Sequence, residues 1–64
     1  MPHYKVESSS EWFIVKASNK ALARQEGDIE WGRGFVKKIS EATKEDIGYY
    51  EALKGKNSIE ESGE

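Results

Sequence analysis

The sequence predicts a small α+β domain, a two-layer sandwich in which two helices lie on one face of a three-stranded sheet. Three observations indicate this class: strand-like alternation near the start, a change to helical spacing after residue 17, and a helix-capping pattern after residue 42. Together they give the element order β-β-α-β-α in a chain of 64 residues.

The first two segments are typical of a β-hairpin. In HYKVE (3–7), Tyr4 and Val6 alternate with polar residues, as in a strand with one buried face. SSSE (8–11) is a small polar loop, and WFIVKA (12–17) is rich in β-branched and aromatic residues. The second strand begins with four consecutive apolar residues, so apolar side chains point to both of its faces. The sequence must therefore also account for what covers the second face.

A helix is predicted to follow, with Ser18 or Asn19 as its N-cap. The residues on its apolar stripe are Ala21, Leu22, Gln25 and Ile29. Gly27 leaves two alternatives open: the helix continues to about Trp31, or it stops at Glu26 and residues 28–31 form a short strand. We favour the longer helix, because a helix of about eight residues supplies little packing surface.

The segment FVKKIS (35–40) is predicted to be the third strand. Its alternation places Phe35 and Ile39 on one face, and Val36 and Lys38 on the other. The preceding GRG (32–34) is interpreted as a connection.

The clearest local signal belongs to the second helix. Thr43 is the expected N-cap, and Asp46 completes a variant of the capping box three residues later. Gly55 is the expected C-terminal stop. The predicted apolar stripe consists of Ile47, Tyr50 and Leu53. Residues 1–55 therefore form one compact domain, and the polar, acidic residues 56–64 are predicted to be a disordered tail.

Composition limits the classes of function. Ten Lys and Arg against twelve Asp and Glu give no basic excess of the kind that nucleic-acid-binding domains usually carry. There is no cysteine, so disulfides and thiolate metal ligation are excluded, and no apolar run approaches the length of a membrane span. We expect a soluble cytoplasmic protein without a cofactor.

Catalytic and metal-binding residues are not predicted. The one histidine, His3, has no metal-ligand spacing around it, and the serines are explained as loop or cap residues. The acidic pair Glu45 and Asp46 is explained by the start of a helix, where negative charge is favourable. The expected class is a non-catalytic domain rather than an enzyme.

Two helices on one face would leave the other face of the sheet open. We predict that this open face is an interaction surface for a protein partner, and that the chain self-associates through it or through a strand edge. The predicted surface consists of Trp12, Ile14 and Val36, rimmed by Lys5, Lys16 and Lys38. An alternative function is binding of single-stranded nucleic acid by Trp12 and these lysines. Ordinary exposure of scattered apolar groups is a third interpretation.

Overall fold

The computed structural model describes residues 2–55 and 59–61, and for residues 60 and 61 it describes only the backbone. The strands are β1 (His3–Glu7), β2 (Trp12–Lys16), β3 (Lys38–Glu41) and β4 (Glu60–Glu61), and the helices are α1 (Lys20–Trp31) and α2 (Lys44–Lys54). The strand order is β3-β1-β2-β4; β1 pairs antiparallel with β2 and β3, and β4 pairs parallel with β2.

The predicted class and element order are confirmed: three antiparallel strands and two helices follow one another as β-β-α-β-α. The structure also contains a strand that was not predicted, β4, which lies within the segment predicted to be a disordered tail. Residues 56–58 and 62–64 of that segment lie outside the described residues.

The hairpin forms as the alternation of apolar residues predicts. Tyr4 lies opposite Val15 and Val6 lies opposite Phe13, so these four side chains share one face of the sheet. In the loop, the Ser8 amide donates to the carbonyl of Glu11, and the Glu11 amide donates to the Ser8 hydroxyl oxygen. The loop serine therefore has a structural role in closing the hairpin.

Helix α1 passes through Gly27 and ends at Trp31, which confirms the longer of the two alternatives. Asn19 is the N-cap, and its side chain accepts a hydrogen bond from the Leu22 amide. The predicted apolar stripe is only partly correct. Leu22 packs against the core, but Ala21, Gln25 and Ile29 are exposed, and the fully buried residues are Ala23 and Gly27.

Gly27 marks the point where α1 approaches the sheet most closely. A Cβ atom built on Gly27 would lie 2.5 Å from Cγ2 of Val36 and 3.0 Å from Cγ1 of Val6. Ala23, one turn earlier, is fully buried in the same core. Small residues at these two positions let the helix backbone lie against the valines, so the glycine is required by packing despite its cost in helix propensity.

Strand β3 begins at Lys38, three residues later than predicted, because residues 35–37 do not pair regularly. Lys38 is the register partner of Glu7, yet the Lys37 amide also donates to the Glu7 carbonyl. Two residues opposite one partner are the arrangement of a β-bulge, which shifts the alternation of side chains. Val36 and Ile39 therefore both pack on the core, whereas the predicted alternation had placed them on opposite faces.

Helix α2 has the caps that its sequence predicts. The Thr43 hydroxyl accepts from the Asp46 amide, and the Asp46 carboxylate accepts from the Thr43 amide, which completes the capping box. Gly55 is the C-cap, with φ of 110°. A left-handed φ of this kind favours glycine, so the helix stops where the sequence indicates.

The two helices lie on opposite faces of the sheet, which corrects the predicted two-layer arrangement. Val6 and Val15 form the core on the face of α1. On the other face, Lys5 contacts Asp46 of α2, and Trp12 packs against Tyr50 of α2. The sheet is therefore the middle layer of three, and the four consecutive apolar residues of β2 are covered on both sides.

The two interior helix glycines are expected to respond in opposite directions to the same substitution. Gly27→Ala should lower the free energy of unfolding by about 1–3 kcal/mol, because the added methyl group overlaps Val36. Gly48→Ala should raise it by up to about 1 kcal/mol, because in the described part of the chain no atom outside the adjoining helix backbone lies within 4 Å of the added Cβ. Urea denaturation at low protein concentration measures both. Equal effects of the two substitutions would contradict the close approach at Gly27.

The capping box should make stability depend on pH. The backbone hydrogen bond from Thr43 is the main cause that lowers the pKa of Asp46 below its ordinary value. The stabilisation by the ionised carboxylate is therefore complete above the ordinary pKa and is lost as pH falls through the lowered one. Asp46→Asn should accordingly be less stable than the wild type near neutral pH and approach it in acid.

Thermal unfolding of both proteins between pH 2 and pH 7 checks this expectation. Glu45→Gln is the matched control, because it removes a neighbouring negative charge of the same helical turn that lies outside the capping box. A constant difference between wild type and Asp46→Asn over the whole pH range would contradict it.

Candidate interaction surface

The residues predicted to form an open interaction surface do not lie together on an open face. Ile14 is only 2% exposed, since α2 covers its face of the sheet. Val36 lies on the opposite side of the sheet, against Gly27 of α1. Trp12 is half-buried. The lysines Lys5, Lys16 and Lys38 belong to the α2 face, where Lys38 is exposed and the other two are partly exposed.

Trp12 is the centre of an aromatic cluster between β2 and α2. Its ring stacks on Tyr49 with centroids 6.0 Å apart and planes 10° from parallel. Tyr50 meets the same ring at 5.4 Å in a tilted arrangement, and Nζ of Lys5 lies 4.8 Å from the ring centroid. These contacts engage Trp12 within the chain, so the ring is not the open stacking platform that the sequence suggested.

An ion pair joins β1 to α2. Nζ of Lys5 lies 3.8 Å from the Asp46 carboxylate, and both side chains are partly exposed. Such a pair contributes little to stability in water. Partial burial is the main cause that lowers the pKa of His3, followed by the positive charge of Lys16, its partner on β2. Both effects favour the neutral form of the His3 side chain.

The outer face of α2 is apolar and exposed. Its members lie at helical spacings of three and four residues, and we refer to Gly48, Tyr49, Ala52 and Leu53 as the outer strip of α2. Tyr49 is 60% exposed and Leu53 is 59% exposed. The stripe predicted for the core, Ile47, Tyr50 and Leu53, is thus correct for Tyr50 and partly for Ile47, while Leu53 faces outward.

Sequence reasoning missed this strip, although one signal for it was present. Tyr49 and Leu53 are four residues apart, as are Gly48 and Ala52. The helix therefore carries apolar residues on two faces, and a single sheet covers only one of them. Only the structure shows which of the two faces lies against the sheet.

Two shallow recesses flank the hairpin loop. One, of about 340 Å³, lies between the loop and the end of α2, and Trp12, Tyr50, Leu53 and Lys54 line it. The other, of about 420 Å³, lies beside Trp31 and Phe35 at the end of α1. Glu11 lines both, and its carboxylate accepts a hydrogen bond of 3.0 Å from Nε1 of Trp31. Both recesses have mixed apolar and polar walls.

Within residues 2–55 and 59–61, no three acidic, histidine or cysteine side chains are grouped so that they would hold a metal ion. No helix in those ranges has the length and apolarity that crossing a membrane requires.

No protein-family model matches this sequence, and no similar protein was found among curated proteins or solved structures. What the fold and surface define is a small three-layer α+β domain with an apolar strip on one helix.

Proposed function

We propose that this chain is a small, non-catalytic protein-interaction domain that self-associates, and that it acts in the cytoplasm. The observation that carries the proposal is the outer strip of α2, in which Tyr49 and Leu53 expose well over half of their side chains. The absence of cysteine fits a reducing compartment.

The outer strip of α2 is suited to packing against an apolar helix face of a partner. Tyr49 and Leu53 lie one turn apart and provide two large apolar groups on the same face. Gly48 and Ala52 lie beside them, and space around Gly48 is open, so a partner backbone can approach closely there. A second copy of the chain offers the same strip, and a two-fold contact would cover both.

The size of the domain also favours self-association. A chain of 64 residues buries a smaller fraction of its surface than a larger domain does. Among the described residues, the largest fully buried side chains are Ile14, Val6 and Val15. Covering Tyr49 and Leu53 in a dimer would therefore add a sizeable increment to a small apolar core.

Binding of single-stranded nucleic acid is the alternative, and the geometry favours it less. Base stacking requires an accessible aromatic face, whereas Trp12 already contacts Tyr49, Tyr50 and Lys5. Tyr49 retains an exposed side, so the alternative predicts salt-sensitive quenching of fluorescence by an oligonucleotide.

A single charged side chain placed within the strip should weaken self-association. Ala52→Lys adds a long cation between Tyr49 and Leu53 without removing any aromatic contact of the chain. We expect the dissociation constant of the dimer to rise at least about tenfold, which corresponds to about 1.4 kcal/mol. Sedimentation velocity over a hundredfold range of protein concentration measures it.

Ala21→Lys is the matched control, because Ala21 is also an exposed alanine of a helix, but it lies on α1. It should self-associate like the wild type. A wild type that stays monomeric at millimolar concentration would refute the proposal, and so would an equal loss of association in both variants. Binding of an oligonucleotide at low salt by a monomeric wild type would favour the alternative.

A further inference from the structure

The outer edge of β2 can be derived from its pairing with β1. The Ser8 amide donates to the carbonyl of Glu11, and the Ala17 amide donates to the carbonyl of Pro2, so Glu11 and Ala17 direct their backbone groups toward the first strand. Inward and outward groups alternate along an antiparallel strand. The backbone groups of Trp12, Ile14 and Lys16 therefore point to the outer edge.

Strand β4 covers only part of this edge. Its two residues are register partners of Val15 and Lys16, at one end of a five-residue strand. Because the pairing is parallel and the outward residues of β2 are even-numbered, Glu60 exchanges hydrogen bonds with Ile14 and Lys16. The Glu61 amide then points away from β2. Among the described residues, the cover therefore depends on the backbone groups of Glu60.

We propose that the outer edge of β2 is a second docking surface, that its occupant is β2 of another copy of the chain, and that β4 covers it in the resting protein. Displacement of β4 exposes the edge of the most apolar strand and allows two sheets to join. The inference goes beyond the proposed function, since it does not require the outer strip of α2.

The self-complementarity of β2 identifies a second copy as the occupant. When two copies of β2 pair as antiparallel strands about a two-fold axis, even-numbered residues lie opposite even-numbered residues. If the axis passes beside Ile14, this residue lies opposite Ile14 of the second copy. The same register places Trp12 beside Lys16 of the second copy at each end. An aromatic ring opposite a cation is a favourable cross-strand pair, and Trp12 and Lys16 both retain partial exposure.

The opposite edge of the sheet is less suited to this role. Strand β3 has four residues, begins beside the bulge at Lys37 and Lys38, and carries exposed charge at both ends. Short length, lysines and bulges are the features with which proteins prevent edge-to-edge pairing. The apolar residues of β2 include no lysine and no bulge, and the outer edge of this strand is protected by β4 instead.

A pair of proline substitutions tests the inference in the full chain. Glu60→Pro removes the amide that donates to β2, whereas Glu61→Pro removes an amide that points away from it, and both make the same change in charge. Both are placed in the Ala52→Lys variant, so that the outer strip of α2 does not contribute to association. We expect Glu60→Pro to dimerise with a dissociation constant at least about tenfold lower than that of Glu61→Pro.

Sedimentation velocity gives the dissociation constants, and far-ultraviolet circular dichroism verifies that each variant is folded. If Glu60→Pro does not fold, Ile59→Ser is the second variant, since it removes a half-buried apolar side chain next to β4 and leaves every backbone amide in place. It should dimerise more strongly than Glu61→Pro by the same mechanism.

The outcomes separate this inference from the proposed function. Equal dissociation constants for the folded β4 variants overturn the inference, whatever the wild type does. A monomeric wild type with a dimeric Glu60→Pro overturns the proposed function and supports the inference. If the wild type dimerises and Glu60→Pro stays as monomeric as Glu61→Pro, the proposed function stands alone.

Discussion

Cover on both faces of β2 is the constraint on which the rest of the structure depends. Trp12, Phe13, Ile14 and Val15 are apolar in succession, and consecutive strand residues point to opposite faces. A sheet covered on one side would leave Trp12 and Ile14 in water. The chain has two helices, and it uses one on each face, so that Val15 and Ile14 are equally buried at 2% exposure. A small domain thereby obtains two thin apolar layers instead of one.

The two layers are built by different means. On the side of α1, Ala23 and Gly27 bring the helix backbone close to the valines of the sheet, and close packing replaces large side chains. On the side of α2, large rings fill the space, with Trp12 between Tyr49 and Tyr50. The first layer tolerates no added volume at Gly27. The second has partly exposed edges, and one of the two recesses lies there, between the hairpin loop and the end of α2.

Local structure could be predicted because its causes are local. The hairpin follows from alternation at Tyr4 and Val6, and the second helix follows from Thr43, Asp46 and Gly55, whose hydrogen bonds lie within a few residues. The choice of face for α2 could not be predicted in this way. It depends on the direction in which the chain leaves β3 after Glu41, and no residue pattern there indicates that direction. The bulge at Lys37 and Lys38 has a separate effect, because it places Val36 on the face of α1.

The predicted surface failed for two reasons. With α2 placed on the wrong side of the sheet, Ile14 is counted as exposed, and without the bulge Val36 is assigned to the wrong face. The exposure of Leu53 is a separate matter, because it depends on which face of α2 meets the sheet. Gly27 shows a related limit of sequence-based prediction. Helix propensity indicates only that glycine destabilises the helix, whereas the structure shows that a glycine is needed there because Val36 packs directly against it. In a domain this small, one helix therefore decides which apolar residues are available to a partner.

Burial of both sheet faces also changes where contacts between molecules can occur. On the α2 face the exposed residue Lys38 is polar, whereas the apolar Ile14 is covered. Among the described residues, the apolar places left for a partner are therefore the outer faces of the helices and the edges of the sheet. The edge at β3 is polar, short and bulged, whereas the edge at β2 is apolar and covered by two residues of β4. An apolar strand at the border of a sheet needs such cover because its unpaired amides and carbonyls would otherwise pair with any extended chain. The same run of residues that requires two helices thus also requires a fourth strand.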